Sequence, residues 1–173
     1  FAVGGTVLCA AALPDGVHFV VSVGDEGFDA DGPYELRLYH VDGTLVHTFK
    51  GHTNDINAVI VTPDGRHIIT GADDRLIKVW DVASKSLVRT FRGHTDSAGD
   101  GGCVGAVAAM PDGLRILSGS IDGAVRVWRL NGTLENTFRL HGLVVHGLVA
   151  LPDNQHALSG SMDGTIMLFN VND

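Results

Sequence analysis

Hydrophobic and polar positions change over in short runs along the chain, and no run keeps a helical period. The clearest stretch is residues 56–62, which are apolar and end at Pro63-Asp64-Gly65. Proline presets φ at the first turn residue and glycine supplies positive φ, so this tripeptide predicts a turn. Residues 66–72 follow as a β-rich run, and Asp73-Asp74 turns the chain again. Residues 76–82 alternate around Lys78 and Asp81, and residues 87–91 form a fourth run before Arg92-Gly93. Short β-rich runs about every ten residues predict an all-β protein.

The pattern repeats. Pro-Asp occurs at 14–15, 63–64, 111–112 and 152–153, with steps of 49, 48 and 41 residues. Seven residues after each proline stand Val21, Thr70, Ser118 and Ser159, and eleven after stand Asp25, Asp74, Asp122 and Asp163. An aromatic closes the next run each time: Tyr39, Trp80, Trp128 and Phe169. His52 and His141 lie eleven residues before a proline, and His94 lies seventeen before one. Recurrence at steps of this length marks a repeat architecture, in which each unit buries its apolar face against its neighbour.

With Gly51-His52, Thr70-Gly71-Ala72-Asp73-Asp74 and Ile77-Lys78-Val79-Trp80-Asp81, the second repeat resembles the WD-repeat β-propeller family. The third does too, through Gly93-His94, Ser118-Gly119-Ser120-Ile121-Asp122-Gly123 and Val125-Arg126-Val127-Trp128. The resemblance covers nearly the whole chain. It implies four-stranded antiparallel blades around a channel. Residues 1–173 are then one propeller segment, with blades at about 1–49, 50–91, 92–138 and 139–173 and the last blade lacking its outer strand. Four repeats fall short of most rings in that family, so the expectation is a segment of a longer propeller, its ring completed by the remaining blades or by a second copy.

The resemblance also assigns roles. His52, Thr70, Asp74 and Trp80 would form a hydrogen-bonded tetrad inside one blade, and His94, Ser118, Asp122 and Trp128 another. His141, Ser159 and Asp163 make a partial set, because Phe169 has no N–H to donate. The first repeat has Val3 and Val21 where the histidine and hydroxyl belong, so no polar network is expected there. Ser-His-Asp sets also suggest nucleophilic catalysis, but catalysis does not require one set per repeat and structure does.

Composition narrows the function classes. The 173 residues carry 12 Lys and Arg against 20 Asp and Glu, a net charge of −8. That balance argues against a general phosphate-backbone binder, which clusters basic residues. No apolar stretch reaches the ~18 residues of a membrane helix. Cys9 and Cys103 show no metal spacing, which suits a reducing, intracellular setting, cytoplasmic or nuclear. The residues 29–32 resemble part of a calcium loop, but Gly27 and Leu38 fall where its acidic ligands belong. No metal and no cofactor are expected.

Two insertions remain. The first lies between Asp25 and Tyr39 and carries Glu26, Asp29 and Asp31; the second precedes Pro111 and carries Asp96 and Asp100. In the propeller layout both open on one face, where Asp55 and Asp73 would join them in an acidic rim. The expected function is a non-enzymatic interaction scaffold for other proteins or peptides, basic ones in particular. The alternatives are a regulatory or targeting module of a larger signalling enzyme, and an enzyme working in the propeller channel. The Trp-Asp-x-Arg signature of ubiquitin-ligase receptors does not occur, since Trp80-Asp81 is followed by Val82-Ala83.

Overall fold

The structure, a computed structural model, describes residues 2–24, 32–94 and 102–173. Among these residues every regular element is a strand, and fifteen strands form four antiparallel sheets. Each sheet is a meander in chain order. The first holds β1 (Ala10–Ala12), β2 (His18–Val23), β3 (Glu35–His40) and β4 (Leu45–Lys50). The second holds β5 (Ile56–Val61), β6 (His67–Ala72), β7 (Leu76–Asp81) and β8 (Ser86–Arg92). In the third are β9 (Val104–Ala109), β10 (Arg115–Ser120), β11 (Ala124–Arg129) and β12 (Leu134–Arg139). The fourth stops at three: β13 (Val145–Ala150), β14 (His156–Ser161) and β15 (Ile166–Asn170). In the second sheet the strands differ from the apolar runs of the sequence by one residue at their ends.

The Pro-Asp turns form as their chemistry requires. Gly16, Gly65 and Gly113 take φ of 75°, 71° and 66°, and Asn154 takes 59° at the same place in the fourth repeat. Asparagine tolerates the left-handed region better than most side chains, which lets it replace glycine there. The turn aspartates hold the next strand: Asp15 Oδ1 accepts from the Val17 and His18 N–H groups, and Asp153 Oδ1 from Gln155 and His156.

The sheets bury their faces against one another. Val20, Leu36 and Leu38 of the first pack on Ile56, Ile68, Ala72 and Trp80 of the second. Ile69, Ile77 and Val79 of the second pack on Val104, Val107, Ile116 and Trp128 of the third. Leu117, Val125 and Val127 of the third pack on Val145, Ala157 and Phe169 of the fourth. Each outer strand adds a phenylalanine to the next sheet's aromatic: Phe49 to Trp80 at 5.5 Å, Phe91 to Trp128 at 5.5 Å and Phe138 to Phe169 at 5.0 Å. A buried side chain of this size contributes about 1.5–3 kcal/mol. These contacts, rather than strand pairing between sheets, hold the blades together.

Candidate functional site

The strand register places the polar sets. Thr70 lies opposite Lys78, Ser118 opposite Arg126 and Ser159 opposite Met167. In all three four-stranded sheets the register shifts at the aromatic, between Leu38 and Tyr39, Val79 and Trp80, and Val127 and Trp128. Such irregularities re-aim a side chain.

In the second blade His52 Nδ1 lies 2.7 Å from Asp74 Oδ2, and His52 Nε2 lies 2.7 Å from Thr70 Oγ1. The Trp80 indole N–H donates to Thr70 Oγ1 at 3.0 Å. The His52 side chain is fully buried and that of Asp74 nearly so. Asp74 also accepts from the Thr53 and Leu76 N–H groups. Burial alone would raise the Asp74 carboxyl pKa, but hydrogen bonds from His52 and these amides outweigh it and hold the carboxyl below its ordinary range. An ionised Asp74 accepts from His52 Nδ1–H, so bare Nε2 accepts the Thr70 hydroxyl proton. The hydroxyl oxygen then takes the indole proton, and the chain is complete.

The third blade differs. His94 Nε2 lies 2.6 Å from Ser118 Oγ, and Trp128 donates to the same oxygen at 2.8 Å. His94 Nδ1, however, is 3.5 Å from Asp122, and Arg126 stands within reach of both. Arg126 Nη1 donates to Asp122 Oδ2 at 2.7 Å and also contacts His94 Nδ1. Arginine cannot accept, so His94 Nδ1 is the acceptor and its proton sits on Nε2. Arg126 is buried. Nothing in the spacing of the motif residues pointed to it; the one signal is its place two residues before the aromatic, where Lys78 also stands.

The fourth blade brings His141 Nε2 to 2.8 Å from Ser159 and His141 Nδ1 to 3.2 Å from Asp163. Thr165 Oγ1 lies 2.9 Å from the same Nδ1. Phe169 occupies the aromatic position and adds no polar contact. In the first blade Val21, Val23 and Tyr39 form an apolar cluster, with Val3 and Phe19 packed against it. Asp25 lies outside the described residues.

Of the acidic rim, Asp55 and Asp73 are described and come together. The Asp73 N–H donates to the Asp55 carbonyl at 2.9 Å, and Asn57 Nδ2 donates to Asp73 Oδ1. A Cβ on Gly24 would lie 2.6 Å from Asp55 Oδ1, so the Asp55 side chain stands against the residue just before the first insertion. Gly102, just after the second insertion, sits against the His94 carbonyl and the Arg75 stem. Asp55 and Asp73 thus stand beside the ends of both insertions, with Arg75 near them. Glu26, Asp29, Asp31, Asp96 and Asp100 lie outside the described residues. Cys103 Sγ is 3.7 Å from the Asp73 carbonyl, and burial, then the nearby Asp73 charge, pushes its thiol pKa up. Burial does the same to Cys9. A raised pKa keeps both as thiols rather than nucleophilic thiolates.

The blades, the recurring aromatic and the sets beneath it have a counterpart among known families. The family described as WD domain, G-beta repeat matches residues 43–81, 85–129 and 132–170. The chain belongs to the WD40 family. Its WD40 repeats are similar to segments of longer proteins. One is a ribosome biogenesis protein BOP1 homolog from Aedes aegypti, 33% identical over 80 residues, which cover 45% of this chain and 9% of that protein. Another is the nuclear distribution protein PAC1 of Candida tropicalis, 34% identical over 68 residues, 36% of this chain and 14% of that one. A third, nuclear distribution protein nudF 2 of Talaromyces marneffei, is 38% identical over 57 residues, 32% of this chain and 13% of that protein. The WD40 chain therefore matches only a small part of the length of these curated relatives. No helix among its described residues is long and apolar enough to cross a membrane.

Proposed function

We propose that this WD40 chain is a non-enzymatic scaffold that binds other proteins or peptides on the propeller face bearing Asp55 and Asp73. One observation carries the reading: each His, hydroxyl and Asp set is closed on itself inside a blade. With the His52 ring nitrogens facing Asp74 and Thr70, nothing is left to activate a substrate. Loops, not the blades that hold them, then do the binding. The partner surface is basic, because Asp55 and Asp73, joined through their backbones, stand beside the ends of two acid-bearing insertions and the whole chain carries a charge of −8. Neither nucleic acid nor membrane is its partner. The two free thiols suit an intracellular location.

The second reading, a regulatory or targeting propeller module of a larger protein, draws on the small share of the relatives' length that the chain matches. Lysine-rich and glutamate-rich peptides of equal length separate the partner chemistries. The chain binds the basic set, by fluorescence anisotropy, with an affinity that falls as salt rises. Reversing Asp29, Asp31, Asp55 and Asp100 to lysine abolishes that binding. Equal affinity for both peptides, or no loss on charge reversal, overturns the basic-partner reading.

A further inference from the structure

The first three blades repeat one basic set on their third and fourth strands. Two residues before the aromatic stand Arg37, Lys78 and Arg126. Opposite them on the outer strand lie Thr48, Thr90 and Thr137. Two residues further along that strand come Lys50, Arg92 and Arg139. Directly paired residues, and residues two apart on a strand, share a face. Each of these blades therefore carries two cations and a threonine on one face.

The first blade shows what such a set holds. Glu35 lies opposite Lys50, and its Oε2 accepts from Arg37 Nε at 2.9 Å and from Arg37 Nη2 at 2.8 Å. Its other oxygen lies 3.0 Å from Lys50 Nζ. One carboxylate thus bridges both cations. In the third blade Ala124 stands at that place, and Arg126 turns to Asp122 instead. In the second blade Leu76 stands there, while Asp74 is engaged by His52 and by the Thr53 and Leu76 N–H groups. Among the described residues neither Lys78 nor Arg92 belongs to an ion pair, although their counterparts Arg37, Lys50 and Arg126 all do. The Lys78 ammonium has one partner, Thr90 Oγ1 at 3.4 Å.

Lys78 is 6% exposed, whereas Thr90 is half-buried and Arg92 exposed, so the set opens at the outer strand. Burial acts most on the Lys78 ammonium and lowers its pKa; the Asp74 charge opposes that shift and the Arg92 charge adds to it. Lys78 and Arg92 thus feel each other's charge with no carboxylate between them, an arrangement that an anion relieves. We infer that Lys78, Thr90 and Arg92 bind an oxyanion from outside the chain, in the place that the Glu35 carboxylate fills in the first blade. The ligand group carries two or more oxygens on one centre, as a carboxylate or a phosphate does, and so reaches both cations at once. No residue of the acidic rim takes part, and this site stands or falls separately from the basic-partner reading.

Nuclear magnetic resonance titration of the chain tests this, with inorganic phosphate and with acetyl-glutamate amide as probes at constant ionic strength. The Thr90 and Arg92 amide signals and the Arg92 Nε signal should shift and saturate. Arg92→Gln removes one charge-assisted contact from an exposed position and should weaken binding at least about tenfold. Leu76→Glu places a carboxylate opposite Arg92, as Glu35 lies opposite Lys50, and should abolish the response to both probes. Leu76 is only half-buried and begins its strand, so the variant keeps the tryptophan emission of the folded blades. Leu76→Gln, of the same shape without the charge, keeps the response. Tighter binding of acetyl-glutamate amide assigns the site to an acidic side chain of a partner, and tighter binding of phosphate assigns it to a phosphate group. The absence of a saturable shift with either probe overturns the inference. So does a shift that persists unchanged in Arg92→Gln or Leu76→Glu, which would mark a general salt effect, or one that Leu76→Gln also abolishes.

Discussion

The Arg126 guanidinium donates to the Asp122 carboxylate at 2.7 Å inside the third blade. The equivalent Lys78 of the second blade instead directs its ammonium to Thr90 Oγ1 at 3.4 Å, leaving Asp74 to His52. One change of basic residue therefore rewires a repeated network. In the second blade the histidine donates to the carboxylate; in the third it accepts from the arginine. The tautomers of His52 and His94 should accordingly be opposite. Nitrogen-15 shifts of the two imidazoles check this: His52 carries its proton on Nδ1 and His94 on Nε2. The same tautomer at both sites would mean that Arg126 does not face His94.

Acid should weaken the fold in two separate windows. Burial, then the Arg126 charge, lowers the His94 pKa, against the opposing pull of Asp122. Above its unfolded value of about 6.5 His94 is neutral in both states and contributes no pH dependence. Below that value the unfolded chain takes up a proton that the folded chain refuses, so stability falls by up to ~1.4 kcal/mol per pH unit. Asp122 acts lower down. Burial raises its pKa, but the neighbouring His94 and Arg126 side chains and the Ala124 N–H outweigh that and depress it. Its contribution is complete above the unfolded value of about 3.9 and is lost as pH falls through the folded one. Urea midpoints between pH 7.5 and pH 5 should decline for the parent chain and decline less for His94→Asn.

Removing the carboxylate of the buried ion pair should cost far more than removing its guanidinium. Asp122→Ala strands the buried Arg126 without its carboxylate, a loss of about 3–5 kcal/mol. Arg126→Met places at this site the residue that the fourth blade has at Met167, and Asp122 can then turn to His94 as Asp74 does to His52. That variant should lose under half as much. Chemical denaturation of the two variants side by side gives the ranking.

The repeats made most of the fold legible. Proline, aspartate and aromatic recur at fixed offsets, and each offset corresponds to a turn or a buried position in the sheets. The residues of the second-blade network were legible in the same way, since Thr70, Asp74 and Trp80 each have counterparts at the same offsets. Arg126 was not, because a residue type two before an aromatic does not say how far its side chain reaches. The tight approach at two glycines was also missed. Gly71 and Gly119 share an offset in the sequence, but only the three-dimensional approach of Val104 and Val145 shows why the backbone is bare there. Asp55 and Asp73 meet through a backbone hydrogen bond that no composition argument contains.

The fourth blade offers a gain rather than a loss. Ser159 Oγ is buried and contacts His141 at 2.8 Å, but the ring of Phe169 has no N–H to give it. In the second and third blades that oxygen takes an indole proton at 3.0 and 2.8 Å. Phe169→Trp supplies the donor from the same strand position, with a net gain of about 1 kcal/mol expected for one buried hydrogen bond. The larger indole must fit beside Phe138, whose ring centre is 5.0 Å from that of Phe169. Trp80 and Trp128 fit beside Phe49 and Phe91 at 5.5 Å, so a shift of about half an ångström accommodates it. For a chain of this size 1 kcal/mol raises the midpoint of thermal unfolding by about 2–4 °C. The reverse change, Trp80→Phe, removes the same bond and should lower it by a similar amount. A fall in midpoint for Phe169→Trp would show that Phe138 cannot yield, and that packing rather than the missing donor sets the fourth blade's stability.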